Sequence, residues 1–361
     1  MSVPAKLAML ARRLWTWPFT LVFGAVLHIR HALYDTYILR RTRPAPPTIA
    51  IGNLALGGTG KTPMLELVLR VLADVRPVAA LSRGHGRSTT DIHEVMASDT
   101  ASISGDEPVQ VKRHFPDARV FVGRDRVRAV ARIVREVPDV RAVVLDDALQ
   151  HRALDPGLRI LLTTWQNPYA DDALFPMGRL RDLRSRARYV DVVIVTKCPK
   201  NKGIGAPLAW RERLRLQDDQ ALFFSTIDHL APQWSHGGSG AVPTGGGVSA
   251  LLFTGIADPT PLLAHARTLW GRVDHAAFTD HHRFTIGDGQ GLARHFSTFA
   301  PGPKLLVTTE KDMARMGPVA DGDPLSGLPI VVIGMRTVIL YEPERFAALI
   351  RDHVATHPAH R

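Results

Sequence analysis

The sequence predicts an α/β fold: a mostly parallel sheet covered by helices on both faces, a second smaller α/β domain, and an N-terminal helix of membrane-surface type. Three observations predict it. Short, continuously apolar runs alternate with helix-length segments, the pattern of strands buried on both faces. A glycine-rich loop ending in Lys61-Thr62 lies between one such run and a helix opened by Pro63. An uncharged aromatic-rich run near the N-terminus is flanked by arginines.

The strand candidates are Thr48–Gly52, Val78–Leu81, Val120–Val122, Ala142–Leu145, Ile160–Thr163 and Val192–Thr196, with amphipathic segments such as Pro63–Val75 and Arg124–Glu136 between them. A second series follows: a strand over Ala250–Gly255, a helix from Pro259, a strand over Val273–Phe278, a helix from Gly287, and strands over Lys304–Thr308 and Ile330–Ile333. The expected boundaries are an N-terminal helix over 1–43, a first domain over 44–234, a Gly-rich linker or hairpin over 235–248, and a smaller domain over 249–361 whose last helix can pack back on the first. At 361 residues the chain is long enough for two such cores. Its one cysteine, Cys198, excludes an internal disulfide and a multi-cysteine metal site, and fits a reducing cytosol.

The net charge of +11 is unevenly spread. Lys6, Arg12, Arg13, Arg30, Arg40, Arg41 and Arg43 face the single acid Asp35 in residues 1–43. No charge interrupts Leu14 to Leu27, which holds Trp15, Trp17, Phe19, Leu21, Val22, Phe23 and Val26. Such a run spans about 21 Å as a helix, short of the ~30 Å hydrocarbon core. Val22, Val26, Ile29, Leu33 and Tyr37 continue as an apolar stripe. Arginines and tryptophans beside that stripe suit a helix lying among headgroups, while packing on the globular body is the competing reading. A signal peptide is disfavoured because no small-residue cleavage site follows. Nucleic acid is disfavoured too, since no known motif for it and no aromatic-basic interleaving occurs. Nothing in the sequence requires an obligate protein partner.

Gly57-Gly58-Thr59-Gly60-Lys61-Thr62 is the strongest signal and marks a P-loop NTPase-type nucleotide site. Glycines let backbone N–H groups converge on phosphate oxygens, and the helix N-terminus adds positive potential. Lys61 would contact the β/γ-phosphates and Thr62 would ligate Mg²⁺. The usual pattern has glycine where Ala55 stands. The run Ala142-Val-Val-Leu-Asp146-Asp147 supplies the strand-terminal acids that hold Mg²⁺ or its water in such proteins. A guanine-reading Asn-Lys-x-Asp motif is absent at Thr196-Lys197-Cys198-Pro199, which favours adenine or an unspecific base site.

Further strings carry a resemblance. Gly52-Asn53-Leu54-Ala55-Leu56-Gly57-Gly58-Thr59-Gly60-Lys61-Thr62-Pro63, Ser82-Arg83-Gly84-His85-Gly86-Arg87, Gly105-Asp106-Glu107-Pro108, Asp146-Asp147-Ala148-Leu149-Gln150-His151, Gly178-Arg179-Leu180-Arg181-Asp182, Asp280-His281-His282 and Thr309-Glu310-Lys311-Asp312 occur in this order. Together they resemble the lipid A 4'-kinase (tetraacyldisaccharide 4'-kinase) family over nearly the whole chain. The departures are Ala148 and Leu149 for Gly and Phe, Arg179 for Pro, and Asp182 for Glu.

The resemblance implies a peripheral enzyme on the cytoplasmic face of a Gram-negative inner membrane. It implies transfer of the γ-phosphate of ATP, with Mg²⁺, to the 4'-hydroxyl of a tetraacylated disaccharide 1-phosphate. On the matching positions it implies nucleotide contacts from Ala55, Leu56, Gly57, Gly58, Thr59, Gly60, Lys61 and Thr62, and metal contacts from Thr62, Asp146, Asp147 and Asp182. It further implies catalysis by Lys61 and by Asp106 as base oriented by His281, and lipid headgroup contacts from Arg83, Gln150, His151 and Arg181. Asp106 also reads as a helix cap, and Asp280-His281-His282 as a polar turn; adjacent histidines do not suit zinc. Arg179, Arg181, Arg184, Arg186 and Arg188 read either as a solvated face or as anion contacts. The competing functional classes are a P-loop ATPase coupling hydrolysis to shape change at the membrane, and an adaptor with a vestigial nucleotide site.

Overall fold

The computed structural model describes residues 3–200, 207–256, 258–280 and 282–358, with side chains described from residue 15 onward. Two compact units emerge: Met1–Ile227 with Thr337–Arg361, and Asp228–Arg336.

The first unit runs α1 (Val3–Asp35), β1 (Thr48–Asn53), α2 (Lys61–Val71), β2 (Val78–Ser82), β3 (His93–Glu94), α3 (Ala101–Ser104), α4 (Asp106–His114), β4 (Arg119–Val122), α5 (Arg126–Glu136), β5 (Ala142–Asp146), β6 (Leu158–Thr164), β7 (Val192–Thr196), α6 (Pro207–Leu214) and β8 (Ala221–His229). β1 lies between β5 and β6, pairing Ile51 with Asp146 and Asn53 with Leu162, both in parallel. β2 and β4 extend the parallel sheet beyond β5, and β7 and β8 extend it beyond β6. The chain therefore reverses its direction of travel across the sheet at β1. Such a reversal opens a crevice at the carboxyl ends of the flanking strands.

β1, β5 and β7 are buried at every residue, which is why they read as continuous apolar runs. α2 covers one face with Met64, Leu65, Val68 and Leu69, and α5 covers the other with Ala129, Val130 and Ile133. Each fully buried Leu, Val or Ile contributes about 1.5–3 kcal/mol to holding the layers together.

α1 is one continuous helix containing Pro18. Gly24, Leu27 and His31 are buried and Thr20, Phe23, Arg30 and Tyr34 half-buried, a helical face that packs on the unit. Phe23 meets Phe175 edge to face at 6.4 Å, and Thr20 Oγ1 accepts from Met177 N at 3.3 Å. Trp15, Trp17, Phe19, Leu21, Val22, Val26 and Ile29 are exposed on the rest of the surface. The predicted stripe stops short of Tyr37, which takes a left-handed φ of 61° after the helix ends. No described helix is long and apolar enough to cross a membrane.

The second unit comprises β9 (Gln233–His236), β10 (Gly245–Thr254), α7 (Thr260–Leu269), β11 (Trp270–Ala277), α8 (Ile286–Ser297), β12 (Lys304–Thr309), α9 (Glu310–Met316) and β13 (Ile330–Ile333). Its sheet runs β11-β10-β12-β13-β9, parallel except for β9. The stretch 235–248, expected as a linker or hairpin, contributes to this sheet at both ends. A Cβ on Gly271 would stand 2.0 Å from the Gly246 carbonyl oxygen, so the close approach of β11 to β10 requires glycine at position 271.

β14 (Met335–Ile339) then joins the edge of the first sheet beside β8, and α10 (Pro343–Ala355) follows. Phe346 of α10 packs edge to face on Phe223 at 5.3 Å, and Arg351 donates to the Val71 carbonyl at 3.1 Å. The first unit thus takes in segments from both sides of the second, which spans Asp228–Arg336.

Candidate active site

The phosphate loop leaves β1 at Asn53 and enters α2 at Lys61. Its first half is pinned by backbone bonds: Arg181 N donates to Leu54 O at 2.8 Å and Leu56 N to Arg179 O at 2.7 Å. Gly57 and Gly60 take left-handed φ values of 108° and 86°, so these two positions require glycine. Ala55 is not left-handed, which explains why it stands where related loops carry glycine. A Cβ on Gly57, Gly58 or Gly60 would meet nothing within 4 Å, so the loop presents an open concave surface. No side chain caps the N-terminus of α2. Its first-turn N–H groups are thus available to an anion, as at other phosphate-binding helix ends. Thr196 Oγ1 donates to Thr59 O at 2.9 Å and holds the loop from β7.

The strand-terminal acids differ sharply. Asp146 is buried; its Oδ2 accepts from Ser82 Oγ at 3.1 Å, while its Oδ1 is buried without a hydrogen-bond partner. Burial, reinforced by the negative charges of Glu107 and Asp147, pushes its carboxyl up to about 7. Asp146 shares a small cavity with Thr62, Ser82 and Glu107. A buried carboxylate oxygen without a donor, beside a threonine hydroxyl, fits a hard divalent cation such as Mg²⁺, which seeks oxygen ligands. Asp147, at φ 48°, is gripped by the Arg181 fork, with Nη1 donating to Oδ2 at 2.9 Å, and lies 3.9 Å from Lys61 Nζ. Burial opposes its charge, but the Arg181 hydrogen bond and the Lys61 and Arg181 charges outweigh it and hold the carboxyl below its ordinary range.

Asp182 is buried and faces His31 Nε2 at 2.6 Å. Gln150 Nε2 donates to Asn53 O at 2.9 Å, and Arg181 Nη2 donates to Asn53 Oδ1 at 2.5 Å. Arg181, Gln150 and Asp182 are therefore gathered around Asn53 at the end of β1. His151 has a buried Nε2 without a partner, and burial with the nearby Arg126 lowers its pKa, so the ring is neutral at pH 7. Arg83 is exposed in the loop after β2. The arginines after Pro176 do not share one face: Arg181 reaches Asp147, Arg186 reaches Asp35, and Arg179 and Arg184 reach Asp172.

Asp106 is the first residue of α4, with Gly105 as N-cap at φ 94°, and its Oδ1 accepts from Glu107 N at 3.0 Å. It sits one residue inside the cap position. His281 lies outside the described residues. Its neighbour His282 bonds Asp288 at 3.0 Å, and Thr309 caps α9 by accepting from Asp312 N at 3.0 Å. These two polar positions have structural roles within the second unit.

Sequence reasoning missed His31, Ser82, Arg126 and Glu107 as neighbours of the site. Ser82 and Glu107 stood in motifs already singled out. Arg126, which donates to the Asp146 carbonyl at 3.0 Å, was hidden among the arginines of α5. Two of the departures, Leu149 and Arg179, make specific local contacts. Leu149 fills the space over Gly52, where a Cβ would lie 2.7 Å from Leu149 Cγ. Arg179 donates its backbone N–H to Asp172 Oδ1 at 3.1 Å, a bond proline cannot make.

The profile of the family described as LpxK, tetraacyldisaccharide-1-P 4'-kinase, matches residues 12–355. A tetraacyldisaccharide 4'-kinase of Bacteroides thetaiotaomicron is 37% identical over 314 residues, covering 84% of this chain and 82% of that protein. One from Parabacteroides distasonis is 37% identical over 357 residues, covering 94% of each. The fold is similar to a crystal structure of LpxK from Aquifex aeolicus in complex with ATP, with a TM-score of 0.72, 21% identity, and coverage of 95% of this chain and 99% of that one. The chain belongs to the tetraacyldisaccharide-1-P 4'-kinase family.

Proposed function

We propose that the chain transfers the γ-phosphate of ATP to the 4'-hydroxyl of a tetraacyl disaccharide 1-phosphate, forming the bisphosphorylated lipid of lipid A biosynthesis. The observation that carries this reading is the convergence of three things at the carboxyl ends of β1 and β5. They are an open phosphate loop, the Lys61 ammonium, and a buried Asp146 oxygen beside Thr62.

Phosphoryl transfer needs alignment and charge neutralisation more than covalent chemistry. The loop N–H groups and Lys61 bind and orient the triphosphate. Lys61 approaches Asp147 at 3.9 Å, so phosphate must compete with this carboxylate for it. Arg181 keeps Asp147 paired when Lys61 turns to the nucleotide. Thr62 and Asp146 would hold Mg²⁺, which would supply charge neutralisation of the β- and γ-phosphates, while Asp147 is held by Arg181 and Asp182 by His31. Asp106 accepts the proton of the attacking hydroxyl, and family resemblance assigns His281 to orient it. Arg83, Gln150, His151 and Arg181 contact the sugar phosphate headgroup. The exposed tryptophans and aliphatic side chains of α1 rest in the interface of the inner membrane on its cytoplasmic face, where the acyl chains of the acceptor lie.

The rival is a P-loop ATPase at the membrane. Turnover of labelled ATP by the purified chain, with and without acceptor lipid in mixed micelles, separates the two. The kinase reading expects phosphate release to be slow and turnover to rise at least tenfold with acceptor. Equal turnover in both conditions favours the ATPase.

A further inference from the structure

Beside the phosphate loop, a second cavity concentrates positive charge. It measures about 140 Å³ and is lined by Arg41, Arg152, Arg159 and Arg186, together with the carboxylates Asp155 and Asp182 and the Tyr189 ring. It has only Leu54 in common with the cavity that holds Gly57, Gly58 and Thr59. Asp155 pairs with Arg159, and Asp182 is turned to His31 at 2.6 Å. The other three guanidiniums share one carboxylate, Asp35, at 2.6 Å from Arg41, 2.5 Å from Arg152 and 2.9 Å from Arg186. Asp35 alone cannot neutralise three guanidiniums, and Asp182 makes its ion pair with His31 rather than with them.

These arginines are also held in place before any ligand arrives. The Arg186 side chain is 9% exposed and its guanidinium stacks 3.9 Å from the Tyr189 ring centre. Arg152 lies over Tyr34 at 5.8 Å and Arg41 over Tyr37 at 5.6 Å. Ring stacking orients a guanidinium without cancelling its charge. The Nε atoms of Arg41 and Arg152 are buried without hydrogen-bond partners. Burial and the neighbouring Arg186 and Arg41 charges lower the pKa of Arg152, the signature of crowded cations short of an anion.

We propose that this cavity is a binding subsite for a phosphate monoester, separate from the phosphate loop. A carboxylate offers two oxygens and one charge, and Asp35 already fills that role. A phosphate monoester offers three acceptor oxygens and nearly two charges, which suits several guanidinium forks converging from different directions. Asp35 then acts as the internal placeholder that keeps the forks together and is outcompeted by the ligand. The phosphate can come from the acceptor lipid or from the headgroup of an anionic phospholipid beside α1; both present the same chemistry.

The test is equilibrium dialysis of radiolabelled inorganic phosphate against the full chain carrying Lys61→Ala, which disables the phosphate loop. One phosphate per chain is expected. Adding Arg41→Lys with Arg152→Lys keeps the charge beside Asp35 but removes the forks, and should weaken binding at least tenfold. Adding Asp35→Asn removes the placeholder and should tighten binding several-fold, a gain that misfolding cannot produce. Displacement by a soluble disaccharide 1-phosphate identifies the acceptor as the source. Displacement by phosphatidic acid vesicles, and not by phosphatidylcholine vesicles, identifies the phospholipid. Phosphate binding absent from the Lys61→Ala chain, or unchanged by both sets of substitutions, overturns the proposal. Because the probe is inorganic phosphate, a chain that binds it here yet makes no bisphosphorylated lipid keeps the subsite and loses the kinase reading.

Discussion

His31 Nε2 of α1 stands 2.6 Å from Asp182 Oδ1, and both side chains are less than 5% exposed. From Asp182 the contacts continue through Gln150, at 3.5 Å, to Asn53, then through Arg181 to Asp147, which lies 3.9 Å from Lys61. A polar chain thus runs from the N-terminal helix to the phosphate loop. α1 is part of the scaffold of the site as well as its apolar fringe. Asp182 is shorter than the glutamate its motif resembles, and its carboxylate is engaged by His31.

His31→Phe should therefore be destabilising, because it leaves the buried Asp182 carboxylate with only Leu183 N and Gln150 as donors. Breaking such a pair costs about 3–5 kcal/mol, whereas replacing both members with apolar groups is often near neutral. His31→Phe combined with Asp182→Leu should recover much of the loss in urea unfolding. A single substitution costing under ~1 kcal/mol would make the contact incidental.

Asp146 sets a pH dependence. Its folded carboxyl titrates at about 7, against 3.8 for the ordinary group. Between those values the folded chain binds a proton that the unfolded chain does not, so this group makes folding weaker as pH rises from about 4 to 7. Mg²⁺ needs the carboxylate, so its affinity for the nucleotide-bound chain should climb as pH rises to about 7 and level off above it. The nucleotide itself titrates nearby, so the informative quantity is the difference in slope between the wild type and Asp146→Asn. Identical slopes would remove Asp146 from the metal site.

The exposed face of α1 should govern membrane binding without supporting the fold. Trp15, Trp17, Phe19, Val22 and Val26 are each at least half exposed. Burying such a side chain in an apolar interface contributes about 1.5–3 kcal/mol. Replacing Trp17, Phe19, Val22 and Val26 by serine should abolish co-sedimentation with anionic vesicles and leave the thermal midpoint within a few degrees. Deletion of residues 1–43 is a poorer test, since it also removes His31 and Asp35. Unchanged sedimentation of the serine variant would contradict the interfacial role.

Asp106→Asn separates proton acceptance from local hydrogen bonding. The amide oxygen can still accept from Glu107 N, the bond Asp106 makes at 3.0 Å, but it cannot take a proton as a carboxylate does. A loss of roughly 10²-fold or more in kcat is expected, with KM for ATP unchanged. Near-normal kcat would remove Asp106 from the catalytic residues.

Much of this was legible in the sequence because single segments encode it. Six apolar runs became buried parallel strands, and the phosphate loop took the strand–loop–helix context that its glycines and Lys61-Thr62 require. What the sequence hid depends on partners distant along the chain. β8 and β14 are neighbours at a sheet edge although more than a hundred residues separate them, and no local periodicity reveals such pairing. The glycines of 235–248 read as a linker or an exposed hairpin because composition does not distinguish flexible glycine from one under close backbone approach, such as Gly237, whose added Cβ would lie 2.6 Å from the Leu328 carbonyl oxygen. Arg181 and Arg186 looked alike in sequence, yet one faces Asp147 and the other Asp35. His31 carried no signal at all, since its partner lies 151 positions away.

Position-resolved transfer of labelled phosphate tests the central claim most directly. The purified chain is incubated with γ-labelled ATP, Mg²⁺ and the tetraacyl disaccharide 1-phosphate, beside Lys61→Ala, and the lipid product is isolated. The account predicts a bisphosphorylated lipid with the label on the 4'-oxygen, reduced about 10²-fold or more by Lys61→Ala. Label recovered only as inorganic phosphate, with the lipid unmodified, would contradict it.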